Sequence, residues 1–319
     1  MSDILEQIKT CPINEIMPMH PEVLACPALM NRRLREEAPV FKDPMSGIYF
    51  ISRYADVVAM AQDHQTFSSV MPGTTTRAVN TDDSEVIELI EQGYPNVPTM
   101  LTQDPPLQRR YRKFVDGAFS PANLKALEPY IEQISNELID DFAAAGQCEF
   151  LNDFGVPLPL KVIASQIGVP LADLPLLRKW TEAVIGNLSQ QLDREGTMRA
   201  ARDILEFQQY FVEKMDERRR QPADDILSKV VNASIDGEKP LDNAECLSML
   251  SQILVAGNDT TGASLTEGIC LLFVNPLQYV LVRSDRSPVM LSRLVDEILR
   301  FSSPSSNMFR RTTRDVELH

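Results

Sequence analysis

"LVAGNDTTGASL", residues 254–265, breaks into a long apolar run with six residues that all rank below alanine as helix formers. The surrounding sequence nevertheless marks a helix at both ends. Leu241-Asp242-Asn243-Ala244-Glu245 supplies a hydrophobic staple, an N-cap and an N3 carboxylate, and Asn275-Pro276 ends the element. Roughly 30 residues rising about 1.5 Å each make a rod near 45 Å long, enough to cross a domain. Its flanks, "SMLSQILVA" and "ASLTEGICLLFV", carry apolar residues on most faces, which predicts a helix through the middle of a fold. Asp259 and Glu267 argue against a membrane span. Gly257 and Gly262 have the spacing of a phosphate-binding loop, but Ala263-Ser264 stand where Lys and Ser/Thr are needed, so that reading is rejected. A local account is better. The Thr260 hydroxyl can bond the Ala256 carbonyl four residues back, bending the helix and opening a groove beside Gly257. Asp259 and Thr260 next to that groove form a carboxylate and hydroxyl pair able to pass protons. On these residues alone a structural kink and a catalytic one fit equally.

The chain has 319 residues, 44% of them hydrophobic, and a net charge of −14. That content supports a large core, and that charge repels nucleic acid and anionic lipid alike, leaving small molecules or a locally matched protein as partners. Cys11, Cys26, Cys148, Cys246 and Cys270 form no CxxC pair and no regular framework, as expected of reduced thiols in a cytoplasm. The N-terminus shows no basic start followed by an apolar core, so no signal peptide or anchor is expected. Three histidines argue against a histidine-rich metal site.

The pattern along the chain is helical almost throughout. "GIYFIS" (47–52) reads as a short strand and residues 53–67 as an amphipathic helix, followed by a polar loop to about Pro98 with a helical segment at "DSEVIELIEQG". Asp104-Pro105-Pro106 and Ser120-Pro121 each open a helix by a cap and a proline. Further helices follow at "LPLKVIASQIG", "ADLPLLRKWTEAVIG", "TMRAARDILEFQQYFVEKMDERRR", "ADDILSKVVNA" and "PVMLSRLVDEILRF", and "MFRRTTRDVELH" alternates like a strand. With no repeat or linker, a single domain over 1–319 is expected, mainly α with small β-sheets.

Two more groups stand out. Glu297 and Arg300 share a helix face at i and i+3, where Leu294, Ile298 and Phe301 favour a partly buried pair. Gln108 and Arg112 share a face at i and i+4, and Arg112 can hold a carboxylate with its fork. Arg109, Arg110 and Lys113 beside them make a positive patch on an acidic protein, which would suit an acidic protein partner.

Taken together, "GIYFISRYADVVAMAQDHQTFSS", "DPPLQRRYRKFVDGAFSP", "NDFGVPLPLKVIASQIGVP", "AGNDTT", "EILR" and "FRRTTRDVEL", in that order, resemble the cytochrome P450 family of haem-thiolate monooxygenases, in particular its soluble bacterial members. The resemblance implies a P450-like fold with a long central oxygen-groove helix, and haem b as cofactor. It assigns Ala256 and Gly257 to the oxygen groove, with Asp259 and Thr260 as proton-relay acid and alcohol serving O–O cleavage. It matches Glu297 and Arg300 to the family's fold-stabilising ExxR pair, and Gln108, Arg112 and Arg310 to positions that hold the haem propionates. Gln108 is a variant of a position that is histidine in many members. The implied partners are dioxygen, a small apolar organic substrate shaped by residues 69–98 and 304–309, and a ferredoxin docking at the patch of Arg109, Arg110 and Lys113. No nucleic acid or membrane partner is implied.

One departure matters. The family's axial cysteine lies in a glycine-containing loop beyond the strand that "VELH" begins, and none of the five cysteines has that context. The chain is therefore expected to be the N-terminal portion of such an enzyme, incomplete at the C-terminus, without a metal ligand of its own. Residues 1–319 alone are expected to bind haem poorly and to lack monooxygenase activity. The alternative is a haem-free helical binding or scaffold protein that retains the fold.

Overall fold

A computed structural model describes the chain except residues 1–5, 7, 72–76, 80, 190–191, 236, 306 and 319. Parts of both expected substrate-shaping segments, 69–98 and 304–309, therefore lie outside the described residues. The chain divides into two compact units, residues 1–71 with 309–319, and residues 72–308.

The first unit contains α1 (Pro21–Ala25), α2 (Ala28–Glu37), β1 (Val40–Lys42), β2 (Tyr49–Ile51), α3 (Tyr54–Gln62), β3 (Phe67–Ser68) and β4 (Arg311–Thr312). β1 and β2 form an antiparallel pair with Phe41 opposite Phe50, and β3 pairs with β4 with Phe67 opposite Thr312. The helix expected over 53–67 stops at Gln62. Asp63 ends it by turning its carboxylate onto the Thr66 N–H at 3.1 Å, and Phe67 is then free to enter a sheet. Among the described residues of the strand-like C-terminal stretch, only Arg311 and Thr312 form a strand. Ile8, Val23, Met30, Leu34 and Phe41 make this unit's own core.

The second unit is helical: α4 (Ser84–Ile90), α5 (Leu107–Val115), α6 (Pro121–Ala143), a π-helical turn (Leu151–Gly155), α7 (Pro157–Ile167), α8 (Leu174–Ser189), α9 (Arg194–Arg220), α10 (Ile226–Val231), α11 (Asn243–Val274), α12 (Pro276–Ser284) and α13 (Pro288–Ser302). Side chains cap α4, α6, α9, α10, α11 and α13 at Asp83, Ser120, Asp193, Asp225, Asp242 and Ser287. Helix α5 differs from expectation, starting at Leu107 after both prolines and without a side-chain cap at Pro106. The core centres on Trp180, which is fully buried among Phe207, Tyr210 and Phe211 and donates its indole N–H to Glu206 at 2.9 Å.

Helix α11 has the expected bounds, and Asp242 and Glu245 form a complete capping box. It runs without a break through residues 254–265. Its first half is enclosed, with Cys246 to Leu250, Ile253 and Leu254 buried, but from Ser264 to Val274 only Gly268 is buried. The expectation of apolar contact on most faces thus holds for the first half alone. Phe273, Val274, Leu277 and Val280 are all at least 60% exposed, beside a groove of about 490 Å³ between α11, α12 and α13. Among the described residues no single helix is long and apolar enough to cross a membrane.

Candidate functional site

The motif 256–262 presents two different sides. Ala256 and Asp259 are exposed and Thr260 partly so, whereas Asn258 and Gly262 are buried against the neighbouring elements. The Thr260 hydroxyl donates to the Ala256 carbonyl at 2.8 Å, the back-bond its spacing predicts. Ser264 and Thr266 repeat it on Thr260 and Gly262 at 2.7 and 2.9 Å, so the helix carries three such bonds without losing its helical path.

The two glycines have unlike surroundings. A Cβ at Gly257 would meet only Ile163 Cδ1 at 3.8 Å, so packing does not require glycine there. A Cβ at Gly262 would stand 2.8 Å from the carbonyl oxygen of Gly155, where α11 crosses the π-helical turn backbone to backbone. That second role is invisible in the sequence, because Gly155 is more than a hundred residues away.

Asp259 forms no ion pair among the described residues. Although the residue is exposed, desolvation of its carboxyl by the protein atoms around it, and then repulsion from Glu182 on α8, push the carboxyl above the usual carboxylate range. Glu182 itself accepts from Arg178 Nε at 3.0 Å on its own helix. Replacing Glu182 by glutamine removes the repulsion and lowers the Asp259 pKa. Carboxyl chemical shifts followed through a pH titration check this, and an unchanged Asp259 midpoint would contradict it. Sequence reasoning had no signal for Glu182, which reaches Asp259 only through the packing of α8 on α11.

Helix α5 is fixed to the start of α11 by a residue already used in the cap. Glu245 Oε2 accepts the Asp242 N–H at 3.0 Å, while its Oε1 accepts from Arg110 at 2.9 Å and from the Tyr111 hydroxyl at 3.0 Å. Burial and this bond raise the Tyr111 hydroxyl to about 12. Gln108 is partly exposed on α5, and Arg112 on the same face pairs with Asp116 at 2.9 Å. Arg310 belongs to the first unit, where its guanidinium donates to the Phe309 carbonyl at 2.8 Å. The expected basic patch is largely compensated within the protein. Arg110 also pairs with Glu238 at 3.3 Å and Lys113 with the same carboxylate at 2.8 Å, leaving Arg109 exposed and without an ion pair among the described residues. Arg300 donates through Nε and Nη2 to the two carboxylate oxygens of Glu297, each at 2.7 Å, but the Glu297 and Arg300 side chains are 61% and 65% exposed, not partly buried.

Over 303 residues the chain is 34% identical to Cytochrome P450 130 of Mycobacterium tuberculosis, a match covering 91% of this chain and 69% of that protein. The chain belongs to the cytochrome P450 family. The Erythromycin C-12 hydroxylase of Saccharopolyspora erythraea is 30% identical over 287 residues, covering 89% of this chain and 67% of that protein. The structure of CYP109Q5 from Chondromyces apiculatus superposes with a TM-score of 0.79 at 30% identity, over 96% of this chain and 73% of that one. No protein-family model matches the chain. The protein is thus of haem-dependent monooxygenase lineage, with the mainly helical fold of the P450s and haem b as the family's cofactor.

The residues present fit a P450 haem on the oxygen side. Ala256 offers a small exposed side chain, and the space beside Gly257 is open. On the opposite, buried side of the helix the side-chain Oδ1 of Asn258 has no hydrogen-bond partner among the described residues. Cys246 does not fit as an axial ligand. Cys246 is enclosed and burial pushes its thiol up to about 12, the opposite of what a thiolate ligand requires, and Cys270 sits exposed on α11. Among the described residues no group of His, Cys, Asp and Glu is placed to hold a metal ion.

Proposed function

We propose that this P450 is a ferredoxin-fed monooxygenase that inserts one oxygen atom into a small apolar organic substrate, with residues 1–319 supplying the oxygen side of its site and a thiolate that comes from none of the five cysteines. The observation carrying this reading is the exposed face of α11. There a small residue, an open glycine, an unpaired carboxyl with raised proton affinity and a back-bonded hydroxyl follow one another within five positions.

When bound, the haem supplies reductive activation of dioxygen and oxygen insertion into a C–H bond. Gln108 and Arg112 would hold its propionates, Arg112 by releasing Asp116. Ala256 and Gly257 leave room beside the reacting oxygen. Asp259, holding its proton more firmly than an ordinary aspartate, would give it to a lone pair of the Thr260 oxygen while the hydroxyl's own proton leaves the Ala256 carbonyl for the reacting oxygen, so that the hydroxyl is restored and the carboxylate is left to reprotonate from solvent. The Glu297–Arg300 fork braces α13. Exposed Arg109 beside Arg112 is the electrostatic support for ferredoxin docking at α5. The lack of a CxxC pair or regular framework among the five cysteines supports cytoplasmic residence, and the net charge of −14 tells against nucleic acid and anionic membrane as partners.

The test is the carbon monoxide difference spectrum of the reduced protein expressed from its entire reading frame, followed by ferredoxin-driven turnover on a panel of small hydrocarbons. A red-shifted Soret band and oxygenated product support the reading. A folded protein inert to carbon monoxide would favour the haem-free scaffold.

A further inference from the structure

Residues 94–102 have neither helix nor strand, and side chains of two helices take up much of their backbone hydrogen bonding. Gln208 of α9, itself buried, accepts the Tyr94 N–H at 2.8 Å and donates to the Tyr94 carbonyl at 3.0 Å. On α11, Ser248 accepts the Val97 N–H at 2.9 Å. One turn later Gln252 accepts the Leu101 N–H through Oε1 at 3.2 Å and donates through Nε2 to Thr99 Oγ1 at 2.7 Å. Only one orientation of this amide satisfies both partners, because the reverse would turn its NH2 against the Leu101 N–H.

The segment changes character within two residues. Thr99 is fully buried, whereas Leu101 is 60% exposed. Gln252 and Ala256 are separated by four positions on one helix face, so the Leu101 backbone is tied one turn from the exposed Ala256. Nothing in the segment's own secondary structure would hold it there.

We propose that Gln252 is a positioning residue: its paired bonds to Thr99 and Leu101 hold the Leu101 side chain one turn from Ala256 on the open face of α11, as part of the wall against the substrate. The proposal rests on the reading that Ala256 to Thr260 border the oxygen site.

Amide hydrogen exchange on residues 1–319 tests the tie without haem. Gln252→Leu speeds exchange of the Leu101 N–H about tenfold and leaves Val97 and Tyr94 within about twofold, while Ser248→Ala does the converse at Val97. Gln252→Glu keeps the acceptor and lets the Thr99 hydroxyl donate, so Leu101 protection returns to within about twofold of the parent. A role in overall stability alone would speed all three amides together. In the haem-loaded enzyme with n-butylbenzene as probe, Gln252→Leu raises KM about tenfold with kcat within about twofold. Leu101 exchange that is unchanged, all three amides moving together, or faster Leu101 exchange with unchanged KM would each overturn the proposal. Absence of turnover in the unaltered enzyme would count against the monooxygenase reading instead, and the exchange pattern then decides the positioning claim by itself.

Discussion

Asp259→Asn is expected to lower kcat of the haem-loaded enzyme by about a hundredfold while leaving KM within about threefold, the scale of losing one general acid. Asparagine keeps the size and polarity of the side chain but cannot carry a proton to Thr260. The effect is large because no ion pair among the described residues competes for the Asp259 carboxyl, whose affinity for a proton is already raised by desolvation and by Glu182. Product formed per electron consumed falls with kcat, since oxygen reduction that outruns proton delivery is wasted. Thr260→Ser keeps both the hydroxyl and its bond to Ala256 and stays within about fivefold of the parent, whereas Thr260→Val loses both and behaves like Asp259→Asn. Steady-state turnover with product analysis checks the series. An Asp259→Asn enzyme with kcat near that of the parent would contradict the relay.

The two glycines of the same motif are expected to respond with opposite signs. Gly262→Ala destabilises the fold by about 2 kcal/mol, because its Cβ would lie 2.8 Å from a backbone carbonyl that can move only with the whole π-helical turn. Gly257→Ala stabilises by about 0.5 kcal/mol, since the nearest atom is the tip of Ile163 at 3.8 Å and alanine is the better helix former. Thermal unfolding of the two variants, several degrees apart, reads this directly. Gly257→Ala also narrows the space beside the proposed oxygen site, so its gain in stability comes with weaker ligand binding. Equal shifts for both variants would show that the crossing at Gly155 does not discriminate between them.

Local signals in the sequence carried well. The capping box of Asp242 and Glu245, the end of α11 before Pro276 and the Thr260 bond to Ala256 all lie within four residues of their partners, where spacing determines contact. Distant partners were not legible. Arg110 and Lys113 form a positive patch only until Glu238 and Glu245, some 125 to 135 residues later, fold against them. The end of α3 was misjudged because amphipathic spacing continues past Asp63, while the strand that claims Phe67 arrives from Arg311 and Thr312 at the far end of the chain. Glu297 and Arg300 were paired correctly from their spacing, but burial depends on neighbours that a helical period does not reveal. Glu182 and Gln252 reach the candidate site through loop and helix packing, for which neither has a motif.

The most direct test of the haem-facing side of α11 is a haem titration of the protein expressed from its entire reading frame, followed by quenching of Trp180, which is fully buried in the same unit as α11. Ala256→Phe fills the proposed site, and Ala126→Phe places the same ring on an exposed turn of α6 as control. The account predicts that Ala256→Phe weakens haem binding at least about tenfold and that Ala126→Phe leaves it unchanged. Haem binding by Ala256→Phe at the affinity of the parent would contradict it.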